Sequence, residues 1–145
     1  MSFGERPDLL YYSVVPTPQN GEPVQDGEVF SVNLKSKTQE LVWSIRQADL
    51  PDNWWGAFAV RGGKLYLATY GPPTQVFEWT AEGAQPILSL PFSCLGFDVD
   101  AAGQFYLAST DGRVYRAGAG EEPQLAFEAS GSSLSDVALR RFDAP

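Results

Sequence analysis

WGAFAVRGGKLYLAT (55–69) and LGFDVDAAGQFYLAS (95–109) are two copies of one pattern. At an offset of 40, Gly56 falls on Gly96 and Gly63 on Gly103, while Leu65-Tyr66-Leu67-Ala68 falls on Phe105-Tyr106-Leu107-Ala108. The match runs on through Val76-Phe77 and Val114-Tyr115 at 38, then Pro86 with Leu88 and Pro123 with Leu125 at 37. Each copy starts as an apolar run, a Gly-bearing turn and a second apolar run, which reads as strand, turn, strand. A unit of about forty residues holding four strand-length runs therefore repeats.

The rest of the chain has the same texture. Runs at 9–15, 28–34, 40–45 and 55–60 are followed by 64–70, 75–80, 86–91 and 95–100, then 104–110, 113–118, 123–129 and 134–142. Fourteen Gly and eleven Pro break the sequence so often that few gaps reach helix length, so the expectation is an all-β protein. Asp111-Gly112 between two runs predicts a two-residue hairpin turn. Only 134–142, free of Gly and Pro, also reads as a helix. LYYS (10–13) resembles LYLA (65–68), VFSV (29–32) resembles VFEW (76–79), and Asp136-Val137 lines up with Asp98-Val99. The repeat is thus circularly offset across a single domain, 1–145: three strands open it, and 134–142 is expected to supply the missing first strand of the N-terminal unit.

Four strands per forty residues is the size of a β-propeller blade. GFDVDAAGQFYLAST (96–110) resembles the inner-strand, turn, second-strand unit of NHL and SMP-30/gluconolactonase-like propeller repeats. The copy at 55–69 departs from it, with Ala59-Val60-Arg61 in place of Val99-Asp100-Ala101. The resemblance implies three four-stranded blades. Three blades cannot close a ring, and their end faces would show apolar surface to water. The expected repair is a homodimer forming one six-bladed propeller. A monomeric β-sandwich or barrel is the competing architecture.

Composition removes several functions. There is no histidine, which excludes Ser-His-Asp triads, Cys-His dyads and His-ligated metals, and the one cysteine excludes an internal disulfide or a Cys-rich zinc site. A net charge of −8 without a basic run argues against nucleic acid. No apolar run approaches a membrane span and the N-terminus lacks a signal-peptide pattern, so no membrane association and a cytoplasmic location are expected.

The resemblance places loops 14–28, 46–54, 70–75, 91–94 and 129–133 on the ligand face. Among these, Arg46, Asp49, Asp52, Asn53 and Trp54, with Tyr70, are the candidate ligand-binding residues. The competing role of 46–54 is that of a polar connector, with Pro51, Asp52 and Asn53 supplying turn geometry. Trp54-Trp55 points one indole into the core and the other outward, as a sugar platform or as packing at a subunit contact. Gluconolactonase-like propellers hold a divalent cation in the channel. That resemblance makes Asp98 and Asp136 candidate ligands for Ca²⁺, with Phe58 in the third equivalent place. Asp100, three residues before Gly103, is assigned to capping its turn. Cys94 has no histidine or cation nearby in sequence and is expected to be a small buried residue.

No catalytic residue is named. The function expected is a non-enzymatic propeller scaffold or binding module, engaging a protein or small ligand on its loop face. The alternatives are a divalent-cation-dependent, lactonase-like hydrolase and a sugar-binding propeller lectin.

Overall fold

A computed structural model describes residues 2–3, 6–16, 20–23, 25–50 and 55–129. The strands are β1 (Ser2–Phe3), β2 (Leu9–Val14), β3 (Gly27–Asn33), β4 (Thr38–Ile45), β5 (Ala57–Arg61) and β6 (Lys64–Ala68), then β7 (Thr74–Thr80), β8 (Gly83–Leu90), β9 (Cys94–Val99), β10 (Phe105–Ser109), β11 (Arg113–Ala117) and β12 (Gln124–Glu128). The chain is all-β, and among the described residues its helical content is one 3-10 turn, Gln47–Asp49. No helix there is long and apolar enough to cross a membrane.

The strands form three antiparallel four-stranded meanders: β1-β2-β3-β4, β5-β6-β7-β8 and β9-β10-β11-β12. Eleven of the runs read from the sequence are these strands, and residues 134–142 lie outside the described residues. The sequence pattern does not announce β1. It pairs with β2 through Ser2↔Tyr11 and Phe3↔Leu10, on the edge of β2 expected to receive 134–142.

Period-two alternation assigns each strand two faces, and in the middle sheet both are covered. Phe58, Val60, Leu65, Leu67 and Phe77 pack toward the first sheet, against Val29, Ile45, Tyr11 and Trp43. The opposite face, with Ala59, Ala68, Val76, Leu88 and Leu90, packs on Phe97, Val99, Phe105 and Leu107 of the third sheet. Tyr66 meets Phe105 edge-on across this second seam, at 5.2 Å between ring centroids and 87° between planes. Burial, then the carboxylate of Glu78, raises the Tyr66 hydroxyl pKa above its ordinary value, so the phenol stays neutral in the seam. Strand β5 runs beside both β1 and β9, so the first strands of the three sheets are neighbours.

The three sheets are structurally the same unit. A bulge interrupts third-to-fourth-strand pairing after Val29, Val76 and Val114, each followed by an aromatic residue. Tyr11, Tyr66 and Tyr106 share one register position, because Tyr12↔Phe30, Leu67↔Phe77 and Leu107↔Tyr115 are equivalent pairs.

Pairing also corrects the alignment. Phe58 faces Leu67 and Phe97 faces Leu107, so Phe97 is the counterpart of Phe58, and Asp98 is that of Ala59 rather than Phe58. The cause is hairpin length: two residues join β5 to β6, and five join β9 to β10 after a strand ending one residue sooner in register, so the two turns differ by one residue. In the fourth strands, Pro86 and Leu88 correspond to Leu125 and Phe127, since they oppose Phe77 and Val76 as those oppose Tyr115 and Val114.

Two turns reveal local chemistry. Asp100 Oδ1 accepts the N–H groups of Ala102 and Gln104, both at 2.9 Å, which is the capping role read from Asp-x-x-Gly. The Asp111-Gly112 turn is one residue longer than expected. Gly112 N–H donates to Ser109 C=O at 3.2 Å, so Thr110 and Asp111 are the central residues and Gly112 follows at φ +86°. That is the three-residue, bulge-ended hairpin, in which glycine takes the left-handed position after the turn.

Candidate functional site

Successive antiparallel strands put the connections after β2, β4, β6 and β8 at one end of their sheets. Two of these, 15–26 and 46–56, are eleven or twelve residues long, whereas every connection at the opposite end has six or fewer. The sequence-predicted ligand residues come from this end, and among the described ones Arg46 and Asp49 lie together while Tyr70 lies elsewhere.

Arg46 clamps Asp49 across the 3-10 turn, its Nε at 3.0 Å and its Nη2 at 2.9 Å from the same carboxylate oxygen. That oxygen lies 3.5 Å from where a Cβ would stand on Gly83, beside the turn between β7 and β8. Tyr70 sits at the other end of β7: its C=O accepts the Thr74 hydroxyl at 2.7 Å, and its ring lies over Gly56. Seven residues of β7 separate the two places, about 20 Å of extended chain. Asp52, Asn53 and Trp54 lie outside the described residues.

Trp55 is the inward indole of the pair. It is 2% exposed, and its ring occupies the space where a Cβ on Gly27 would stand, closing the seam between first and second sheets. Gln47, hidden from sequence reading, is wholly buried. Its Nε2 donates to Gln25 C=O at 2.7 Å, tying the two long connections together, while Oε1 has no partner among the described residues.

Asp98 is 6% exposed and lies on the outward face of the third sheet, opposite Tyr106. Its Oδ1 accepts the Val99 N–H at 2.8 Å. Among the described residues no three acidic or thiol side chains gather in a way that suits a metal. The Ca²⁺ expectation needs Asp136 as well, and Asp136 lies outside them. Cys94 is buried in the second seam; its N–H donates to Thr74 Oγ1 at 2.9 Å and its Sγ–H to Gly96 C=O at 3.1 Å. This is the packing role expected of it.

Apolar side chains also stand on the outward faces of the first and third sheets. The outward side of the first sheet presents Leu10, Tyr12, Phe30 and Val32, all half-buried, with Leu41 at 52% exposure. Tyr12 and Phe30 stack at 5.1 Å between centroids, and the Tyr12 hydroxyl donates to Gln39 Oε1 at 2.9 Å, which stiffens this face. The outward side of the third sheet carries Tyr106 and Val114, both half-buried, Phe127, 61% exposed, and Ala108, which is wholly buried. At its rim Arg113 reaches both Asp111 and Glu128 at 3.3 Å. The Asp111 carboxyl is held below its ordinary range: desolvation pushes it up, and hydrogen bonds from Ser109 with the Arg113 charge prevail.

Neither a family model nor a curated protein matches this chain.

Proposed function

We propose that the chain is a three-bladed half of a six-bladed β-propeller, closed by a second copy of itself, and that the ring is a non-enzymatic scaffold binding a protein or small-molecule ligand at its long-loop end. One observation carries the reading. The end faces repeat the two halves of a contact that the chain already makes twice within itself. Leu10, Tyr12 and Phe30 stand where the middle sheet has Leu65, Leu67 and Phe77, the residues that cover the first sheet. Tyr106, Ala108 and Val114 stand where it has Tyr66, Ala68 and Val76, the residues that cover the third. A second copy offers each face the surface that its counterpart meets inside the chain, and a two-fold pair leaves neither face over.

The concentration of both long connections at one end supports the binding role, since recognition residues are disproportionately carried on loops held by a rigid scaffold. Light scattering on a size-exclusion column tests the assembly. The expected mass is twice 15.8 kDa, unchanged by a chelator. A mass of 15.8 kDa at all concentrations overturns the ring. A dimer that falls apart in chelator overturns the metal-free scaffold in favour of the cation-dependent hydrolase.

A further inference from the structure

We infer that Asn20-Gly21, midway along the 15–26 connection, is a site of self-modification. There the Asn20 side chain closes on the Gly21 backbone nitrogen to a succinimide, which opens to aspartate and isoaspartate. The inference is independent of ring closure. Three Asx-Gly pairs occur in the sequence: Asn20-Gly21, Asp26-Gly27 and Asp111-Gly112. Glycine in the second place leaves the attacking nitrogen unshielded, because no Cβ stands beside it. The fold leaves the first pair open. Asn20 and Gly21 are both exposed and lie in a turn. Gly21 has φ +83° and nothing within 4 Å of the place a Cβ would take. Among the described residues, no hydrogen bond engages the Gly21 N–H or the Asn20 carboxamide, so both reacting groups are free to meet.

The comparable places are held. Gly27 is buried at the start of β3, with the Trp55 ring against it. Gly112 N–H donates to Ser109 C=O at 3.2 Å, and the Asp111 carboxylate is engaged by Arg113. Both of these pairs also begin with a carboxylate, a poorer electrophile than a carboxamide. Asn33 has the carboxamide but not the freedom. Its Oδ1 accepts the N–H groups of Lys35 and Ser36 at 2.9 and 3.1 Å. The nitrogen that would attack it, that of Leu34, donates its N–H to Asp8 C=O at 2.8 Å.

The chemistry needs water alone. The Gly21 nitrogen gives up its proton to solvent and bonds to Asn20 Cγ, and the bond from Cγ to the side-chain nitrogen breaks, releasing ammonia. Water then adds to either ring carbonyl and cleaves its bond to the ring nitrogen, which regains a proton. One product is aspartate; the other is isoaspartate, whose backbone runs through Cγ. Either adds one negative charge to a chain already at −8. Further along the same connection, Gln25 C=O is tied to buried Gln47 Nε2 at 2.7 Å. The lengthened backbone of isoaspartate therefore falls in exposed chain ahead of that anchor, and the seam beyond it is undisturbed.

Peptide mapping of the full chain tests the site. Folded protein is incubated in neutral and in mildly alkaline buffer, with a parallel sample in urea. The peptide bearing Asn20 should gain one mass unit, faster at the higher pH, and should separate into aspartate and isoaspartate forms. Asn33 should stay intact in the folded chain, and the Asn20 rate should be nearly the same with and without urea. Asn20→Gln should abolish the gain with an unchanged circular dichroism spectrum. Conversion of Asn20 no faster than that of Asn33 in folded protein overturns the inference. An Asn20 rate that rises many-fold in urea overturns it too, because the native turn then holds the pair closed. A product containing aspartate and no isoaspartate overturns the succinimide route.

Discussion

Leu67 in the middle sheet and Tyr12 in the first occupy one position of the repeat, yet Leu67 is wholly buried and Tyr12 is only half covered. The same contrast separates Val76, wholly buried between two sheets, from Val114, half covered on the third sheet's outward side, whereas Ala68 and its counterpart Ala108 are both buried. Residue type at these positions tracks the place in the repeat and not the exposure found in a single chain. On the first sheet, apolar residues keep the alternation of the repeat although no described sheet packs on their outward face.

The largest effect that sharpens this contrast is core truncation. Leu67→Ala should cost about 2–5 kcal/mol, because the removed methyl groups leave a cavity walled by two sheets. Tyr12→Ala should cost less than Leu67→Ala when urea unfolding is measured at concentrations too low for self-association. If both cost the same there, the outward face is already covered in the monomer. Raising protein concentration should widen the Tyr12→Ala deficit and leave that of Leu67→Ala nearly fixed.

Next come two glycines under aromatic rings. A methyl group on Gly27 enters the Trp55 ring, which is buried in the first seam and has nowhere to retreat. Gly27→Ala should therefore cost about 1–3 kcal/mol and shift tryptophan emission. Gly56→Ala presses on Tyr70, whose ring is 42% exposed and free to swing outward, so its cost in the same urea experiment should be clearly smaller. Equal costs would mean that Tyr70 is fixed as firmly as Trp55.

The third comparison concerns hairpins. Asp100→Ala removes the acceptor of two backbone N–H groups and should cost about 1 kcal/mol. Hydrogen exchange should quicken at Ala102 and Gln104 in this variant and remain unchanged at the two-residue turn between β5 and β6. Protection at all four amides of both turns equal to wild type would remove Asp100 from the capping role.

The smallest effect belongs to the rim. The folded-state pKa of Asp111 is depressed, so any stability it adds is present above the ordinary carboxylate range and is lost as pH falls through the lowered value. Its group is solvent-exposed, so Asp111→Asn should leave the melting temperature at neutral pH nearly unchanged and slightly flatten its decline in acid. A large loss at neutral pH would show that the rim is covered by something more than water.

Much of the fold could be read directly. The Val-aromatic bulge and the tyrosine of the second strand recur in all three sheets, and both appear as plain sequence matches among residues 10–13, 29–32, 65–68, 76–79 and 105–117. The Asp-x-x-Gly turn was equally legible, because an Asx cap is made within five residues. The errors fall where partners are distant. Asp98 was set against Phe58 because a fixed offset carries no knowledge of hairpin length, whereas cross-strand hydrogen bonds count residues from each turn separately. Arg46 and Asp49 looked like companions of Tyr70, since all three lie in connections on the same end of the meander. The fold instead sets the Asp49 carboxylate of that clamp beside Gly83. Gln47 left no signal, because its burial depends on Gln25, twenty-two residues away.

By itself, then, the sequence determined strand content, the four-strand unit, its repetition and the chemistry of its turns. All of these follow from period-two alternation and from Gly, Pro and Asp acting on their immediate neighbours. Tertiary structure alone decided the register between repeats, the separation of Arg46 and Asp49 from Tyr70, and which of the repeated faces lie covered. Those depend on strands and connections meeting across long stretches of chain, and no local pattern records how many sheets are present to cover a face.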